Sequence, residues 1–115
     1  MVIKMGEVQS DFEPVILTTT SDDRSVLDTI ASKLVDQKLA ACVQISGPII
    51  SSFAWEGKVE SSEEWQCVIK TSRHLMVQAE TVILEEHNYD VPQLLAVDII
   101  AGSEGYLQWM QDSLC

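Results

Sequence analysis

The chain has 115 residues, enough for one domain, and its 46% hydrophobic and 22% charged residues are typical of a chain with a packed core. Seven Lys and Arg against 18 Asp and Glu give a net charge of −11. This charge disfavours partners held mainly through phosphates, both nucleic acids and anionic membrane surfaces, and we expect neither. Since no apolar run reaches the ~20 residues that span a bilayer, we expect a globular domain with no membrane contact.

Residues 1–13 show no periodic pattern and are predicted to be a flexible leader ahead of a single domain at 14–115. They also lack the apolar stretch of a secretion signal. Three cysteines, Cys42, Cys67 and Cys115, are an odd number without C-x-x-C spacing, so a disulfide framework is not expected. The predicted location is therefore a reducing compartment, the cytoplasm.

The first half of the chain is predicted to form a strand, a helix and a long strand. A β-branched run gives the strand over 15–20. Apolar residues spaced as one helix face follow over 22–38, with Ser21 as the N-cap. The β-rich stretch over 41–55 is interpreted as one strand because only Gly47-Pro48 interrupts it, and such a pair bends or bulges a strand.

The second half repeats this pattern. A strand over 58–71 returns from a turn, and a helix over 73–87 follows with Ser72 as its N-cap. An almost wholly apolar strand is predicted over 93–101. Ser103 then begins a short last helix.

The order β-α-β-β-α-β plus a C-terminal helix predicts an α+β, ferredoxin-like fold, with both long helices on one face of an antiparallel sheet. Two features do not fit an isolated subunit. The two hairpin strands are about 13 residues long against the usual 5–6. The strand over 93–101 is apolar on both faces, although helices cover only one. We therefore expect a second copy of the chain to cover the other face.

Five short motifs carry a family resemblance. They are Lys38-Leu39-Ala40-Ala41-Cys42-Val43, Trp55-Glu56-Gly57-Lys58, Lys70-Thr71, Tyr89-Asp90-Val91-Pro92-Gln93-Leu94-Leu95 and Tyr106-Leu107-Gln108-Trp109. In this order and spacing, the chain resembles the CutA family of divalent-cation tolerance proteins over about residues 14–114. The resemblance implies a PII-like homotrimer that acts in tolerance of copper and other divalent cations. The chain has no P-loop, dinucleotide-binding or Ser-His-Asp pattern, so no enzymatic activity is expected.

His87 is the candidate metal ligand, because an imidazole beside carboxylates suits copper or zinc. The alternative is an exposed histidine whose charged form complements a helix C-terminus. Copper-binding members of the resembled family have a histidine pair here and a cysteine at the end of the first strand. Glu86-His87 and Thr19 occupy those positions. The implied metal set is therefore His87, Glu86 and Thr19, which binds weakly because a hydroxyl replaces the thiolate and Asp90 adds a ligand only if its loop folds back.

The same resemblance implies that Trp55, Glu64, Lys70 and Tyr89 face a cleft between subunits, which holds a nucleotide in PII-type proteins. The alternative, that these residues form interfacial hydrogen bonds and ion pairs, stays open, and no phosphate-cradling loop supports a nucleotide. The alternative functions are therefore a PII-like small-molecule sensor and a scaffold. Cys42 likewise has two interpretations, a thiolate ligand or a small buried apolar residue.

Overall fold

A computed structural model describes residues 5–7 and 11–115 of the chain. The strands are β1 (Met5–Glu7), β2 (Pro14–Ser21), β3 (Cys42–Trp55), β4 (Lys58–Ser72), β5 (Leu95–Asp98) and β6 (Ala101–Ser103). The helices are α1 (Arg24–Asp36), α2 (Met76–Glu86), which a 3-10 turn at Arg73–Leu75 precedes, and α3 (Glu104–Ser113). An antiparallel sheet has the order β3-β4-β2-β5, and β1 pairs with β6. The predicted α+β, ferredoxin-like arrangement with an extra C-terminal helix is confirmed.

The core lies between the four-stranded sheet and the helices α1 and α2. Because side chains alternate along a strand, Val15 and Leu17 of β2 point to the helices while Ile16 points away. The buried apolar residues that meet on the helix side are Val15, Leu17, Leu27, Ile30, Leu34, Leu39, Ala40, Cys67, Ile69, Leu75, Ala79 and Ile83. Both long helices therefore cover the same face of the sheet, as predicted.

The opposite side of the sheet, which we call the open face, is the side that carries Ile16, Thr18, Leu95 and Val97. The register pairs Ile16 with Val97 and Thr18 with Leu95, so all four side chains share this side. Leu95 and Val97 are 60% and 56% exposed. Further exposed apolar side chains lie on the hairpin of β3 and β4, namely Ile49, Ile50, Phe53, Trp55 and Val59. Exposed apolar surface of this extent marks an interaction surface.

The hairpin strands are as long as predicted, with 14 residues in β3 and 15 in β4. The predicted irregularity at Gly47-Pro48 is confirmed as a shift of register between Ser46 and Ile49. Gly47 has a φ of +144°, and a Cβ at this position would lie 2.8 Å from Cδ1 of Trp65. The bulge therefore requires glycine both for its backbone conformation and for the close approach of Trp65.

The prediction of one strand over 93–101 is wrong. β5 ends at Asp98, opposite Val15, because its partner β2 begins at Pro14, whose carbonyl accepts the last hydrogen bond from the N–H of Ile99. The chain then continues into β6, which pairs with β1. The predicted leader also needs correction, since Met5–Glu7 forms a strand. The rest of its first ten residues lie outside the described residues.

The helix starts differ from prediction in their capping residues. Asp23, not Ser21, is the N-cap of α1, and its Oδ1 accepts hydrogen bonds from Oγ and N of Ser25 at 2.6 and 2.9 Å. These bonds, that from the hydroxyl first, hold the pKa of Asp23 below its usual range. Ser72 precedes the 3-10 turn and Ser103 precedes α3, both without a side-chain capping bond. None of these helices, in the part of the chain that the structure describes, is long and apolar enough to cross a membrane.

Candidate functional site

A network of hydrogen bonds surrounds the segment His87–Tyr89 directly after α2, which we call the His87 turn. Nε2 of His87 lies 2.9 Å from the carbonyl oxygen of Thr20, and Nδ1 lies 3.1 Å from the backbone N of Tyr89. A backbone N–H can only donate, so Nδ1 carries the lone pair and Nε2 carries the proton that it donates to Thr20. The ring is therefore assigned as a neutral imidazole. It links Thr20, near the end of β2, to Tyr89.

Tyr89 makes the second set of contacts. Its hydroxyl donates to Oε2 of Glu64 at 2.7 Å and accepts from the backbone N–H of Asp22 at 2.8 Å. Glu64 is only 7% exposed. Partial burial of the phenol and its hydrogen bond to Glu64, in that order, raise the pKa of Tyr89 above its usual value. The His87 turn is thereby tied to both β2 and β4.

Asn88 completes the connection to β2. Its Oδ1 accepts a hydrogen bond from Oγ of Ser21 at 2.7 Å, and its Nδ2 donates to Oδ1 of Asp22 at 2.8 Å. Sequence reasoning missed the parts played by Ser21, Asp22 and Asn88, because their partners lie more than 60 residues apart and no motif joins them. The sequence feature that could have indicated these contacts was the polar loop between α2 and β5.

The predicted metal set is brought only partly together. Glu86 directly precedes His87, but its carboxylate accepts a 2.5 Å hydrogen bond from Nζ of Lys33. Thr19 is fully buried on the helix side of the sheet, and its hydroxyl has no hydrogen-bond partner among the described residues. Within residues 5–7 and 11–115, no group of three or more His, Cys, Asp and Glu side chains is arranged to hold a metal ion.

The predicted cleft residues are also spread out within one subunit. Glu64 and Tyr89 are in contact, whereas Nζ of Lys70 donates to the hydroxyl of Tyr106 at 3.2 Å and lies 5.1 Å from the centre of that ring. Lys70 lies six residues beyond Glu64 on β4, roughly 20 Å along the strand. Trp55 lies at the far end of the hairpin and is 59% exposed. One subunit therefore assembles only half of this set.

The three cysteines are all free thiols. Cys67 is buried in the core, and burial, with a smaller effect of the charge of Asp28, raises its pKa to about 12. Cys42 is half-buried and lies opposite Lys70 in the sheet, while Cys115 is exposed. A thiolate is the reactive form, so we expect Cys67 to be inert in the folded protein.

The raised pKa of Tyr89 predicts a loss of stability in alkali. The unfolded chain releases the phenolic proton near pH 10, while the folded chain retains it to higher pH. The stability that the protonated phenol of Tyr89 contributes is therefore complete below pH ~10, and it is lost as pH rises through the pKa of the folded state. In a Tyr106→Phe variant, which leaves Tyr89 as the only tyrosine, absorbance at 295 nm should rise at a higher pH in buffer than in denaturant. Coincident titration curves would contradict the assigned contact with Glu64.

A second prediction concerns two fully buried threonines on the helix side of the sheet. Thr71 donates to the carbonyl of Leu39 at 2.6 Å, whereas Thr19 has no partner among the described residues. Because an unsatisfied buried hydroxyl costs about 1–3 kcal/mol, Thr19→Val should raise the unfolding free energy by about 1 kcal/mol or more. Thr71→Val is the matched control and should lower it. Denaturant unfolding measures both, and a destabilised Thr19→Val would mean that this hydroxyl has a partner.

Known proteins resemble this chain over most of its length. Residues 15–113 match the family described as CutA1 divalent ion tolerance protein. "Protein CutA, chloroplastic" of Arabidopsis thaliana is 36% identical over 111 residues, which are 96% of this chain and 61% of that protein. The chain thus spans about six-tenths of the length of that plant relative.

A bacterial relative and a solved structure match over almost their full length. The "Divalent-cation tolerance protein CutA" of Thermus thermophilus is 34% identical over 101 residues, covering 88% of this chain and 96% of that protein. The structure of CutA from Synechococcus elongatus superposes with a TM-score of 0.88 at 28% identity, covering 97% of this chain and 96% of that one. The likeness in fold therefore covers nearly the whole chain.

Proposed function

The chain belongs to the CutA1 divalent ion tolerance protein family, and we propose from this premise that it is a non-enzymatic homotrimer acting in the response to divalent cations, copper among them. It binds such cations weakly at the His87 turn. The observation that carries the cation site is the neutral imidazole of His87, half-buried directly after the half-buried Glu86.

The donor chemistry of this pair suits a borderline divalent cation, since imidazole and carboxylate are both ligands of copper(II) and zinc. Both groups already have partners, however. A cation competes with the Tyr89 N–H for Nδ1 of His87, or with Thr20 at Nε2, and with Lys33 for the carboxylate of Glu86. Two protein ligands are also fewer than the three or four that hold zinc in catalytic and structural sites. The buried hydroxyl of Thr19 offers no accessible third oxygen, so we expect micromolar or weaker affinity with ready exchange.

Isothermal titration with Zn²⁺ and Cu²⁺ at pH 7 tests the site. We expect His87→Ala to weaken binding at least about tenfold, because one imidazole is half of the ligand set. His74→Ala is the matched control, since His74 interacts with Ser72 and Cys115 instead. Equal binding by His87→Ala and wild type would move the site elsewhere. Nanomolar binding by wild type would mean that further ligands exist.

The trimer is supported by the open face. Leu95 and Val97 expose apolar surface there, and the hairpin adds more, as expected of a subunit whose sheet is completed by another copy. Obligate interfaces bury about 2,000 Å² or more and resemble a domain core. The reducing compartment, the cytoplasm, belongs to the same proposal and is supported by three unpaired cysteines.

A second candidate function is a PII-like sensor or scaffold that uses the cleft between subunits. It is favoured by Glu64, a carboxylate 7% exposed that has no Lys or Arg partner in the described part of the chain. A buried carboxylate is costly unless it is paired, so a ligand or a neighbouring copy is a natural source of its cation. A thermal-shift screen of nucleotides and metabolites tests this candidate, and an increase in Tm with one compound but not with Zn²⁺ would favour it.

A further inference from the structure

We infer that the segment ahead of β2 is a strap that seats α3 on the end of the sheet and thereby holds Tyr106 against Lys70. The strap consists of β1 and residues 11–13, within the stretch that the sequence predicts to be a flexible leader. The inference goes beyond the proposed function and does not depend on it, because it concerns only how α3 is held in place.

The helix α3 has its own small core, apart from the main one. Its one buried residue is Met110, whereas α1 has three buried residues. Met110 belongs to a second group of buried apolar residues, together with Phe12 and Ala41. Phe12 comes from the strap, is 6% exposed and is the largest side chain of this group. Because a helix with so little buried surface opens locally at low cost, the contact with Phe12 has a large share in keeping α3 closed.

The strap is fixed where it leads into β2. The backbone N–H of Arg73 donates to the carbonyl of Glu13 at 2.8 Å, and Nε of Arg73 donates to Oε2 of Glu13 at 2.7 Å. The same guanidinium donates to the carboxylate of Asp98 at the end of β5. Phe12 directly precedes Glu13, so the sheet sets the position of its backbone independently of the contact with α3.

The other part of the strap lies against the start of α3. β1 pairs with β6, and Gly6 is directly opposite Gly102. A Cβ at Gly6 would lie 2.8 Å from Cγ of Glu104, and a Cβ at Gly102 would lie 3.1 Å from Cδ2 of Leu107. Glycine at both paired positions permits this close approach of the two strands to the helix. The strap therefore contacts α3 at its start as well as at Met110.

The position of α3 also sets a contact on the open face. Lys70 is directly opposite Ile16 in the sheet, so its side chain lies on the open face. Nζ of Lys70 donates to the hydroxyl of Tyr106 at 3.2 Å. Since Tyr106 lies about one turn before Met110 on α3, loss of the seat of Met110 moves Tyr106 as well. Closure of the strap thus keeps the Lys70 ammonium occupied, and its release frees that ammonium.

Hydrogen exchange measured by NMR in the whole chain tests the strap. In Phe12→Ala, the backbone amides around Met110 should exchange at least about tenfold faster than in wild type, because the substitution removes the largest side chain of the second core. The amides of α1 should change much less. Phe12→Leu keeps most of the buried side chain and should give a smaller increase in the same helix. Leu84→Ala is the control, since Leu84 lies half-exposed on α2, and it should leave α3 unchanged.

The contact between Tyr106 and Lys70 gives a second measurement. The nuclear Overhauser effect between the ring of Tyr106 and the ε-methylene of Lys70 should be present in wild type and lost in Phe12→Ala, although neither residue is altered. Tyr106→Leu supplies the reference spectrum without this contact. A purely structural effect of Phe12 on the main core would leave the contact intact.

The possible results separate the two parts of the inference. Unchanged exchange in α3, or equal acceleration in α1 and α3, overturns the strap, because Phe12 then has no particular role at this helix. Faster exchange in α3 with an unchanged contact between Tyr106 and Lys70 overturns the hold on Tyr106. Faster exchange confined to α3 together with loss of that contact establishes both parts. None of these results depends on cation binding.

Discussion

Val97→Asp is expected to leave the protein monomeric at micromolar concentration. Val97 lies on the open face beside Ile16, where the proposed trimer buries it. A carboxylate buried without a partner costs about 3 kcal/mol or more, and a trimer would contain it three times. The subunit itself should fold, because Val97 is 56% exposed before any assembly. Light scattering on the eluting peak gives the mass, and circular dichroism checks the fold.

Val77→Asp is the matched control. Val77 lies in the first turn of α2 and is 78% exposed, so the same substitution makes the same change of charge away from the open face. We expect it to keep the mass of the wild-type assembly. A trimeric Val97→Asp protein, or a monomeric wild type, would show that the open face is not the contact between copies.

Leu27→Ala is expected to lower the unfolding free energy by about 2–5 kcal/mol, the range measured when a fully buried leucine is truncated. Leu27 is fully buried on α1 and belongs to the apolar core that α1, α2 and the sheet form together. The surrounding residues belong to β2, β4 and α2, so the space left by the side chain cannot close by moving one element. Thermal unfolding should show a fall in Tm of roughly 10 °C or more.

Leu84→Ala removes the same atoms from α2, but Leu84 is 47% exposed. We expect it to cost less than half as much, since much of the side chain is already in water. Both variants are compared at one subunit concentration, because assembly makes Tm depend on concentration. Equal losses of Tm would mean that burial of Leu27 adds no more stability than the half-exposed Leu84.

The sequence predicted correctly those elements whose residue pattern repeats over a short stretch of chain. The apolar stripe of α1 and the alternation along β4 have periods that can be counted, and both predicted the observed elements. The strand over 93–101 was predicted too long because an apolar run does not reveal where its partner strand begins, and Pro14, far away in the sequence, sets that limit. The strand at Met5–Glu7 is three residues long, too short to have a detectable period.

The candidate site was predictable in its residue types but not in its contacts. Glu86 and His87 were visible as neighbours, yet the lone pair of His87 is used by Tyr89 and the carboxylate of Glu86 by Lys33. Hydrogen bonds of this kind depend on rotamers and on the packing of α1 against α2, which no spacing encodes. Glu64 and Tyr89 were assigned to the same cleft from resemblance, and they are in contact.

The position of β3 has a consequence for aggregation. This 14-residue strand is the last of its sheet, so the outer row of its backbone N–H and C=O groups is a template to which another extended chain can add. The bulge divides the template into paired runs at 42–46 and 49–55, and Pro48 lacks the N–H that a continuous ladder needs. The second run carries the exposed Ile50 and Phe53, so an unassembled subunit is most prone to fibre-like pairing there, and the bulge limits how far such pairing can spread.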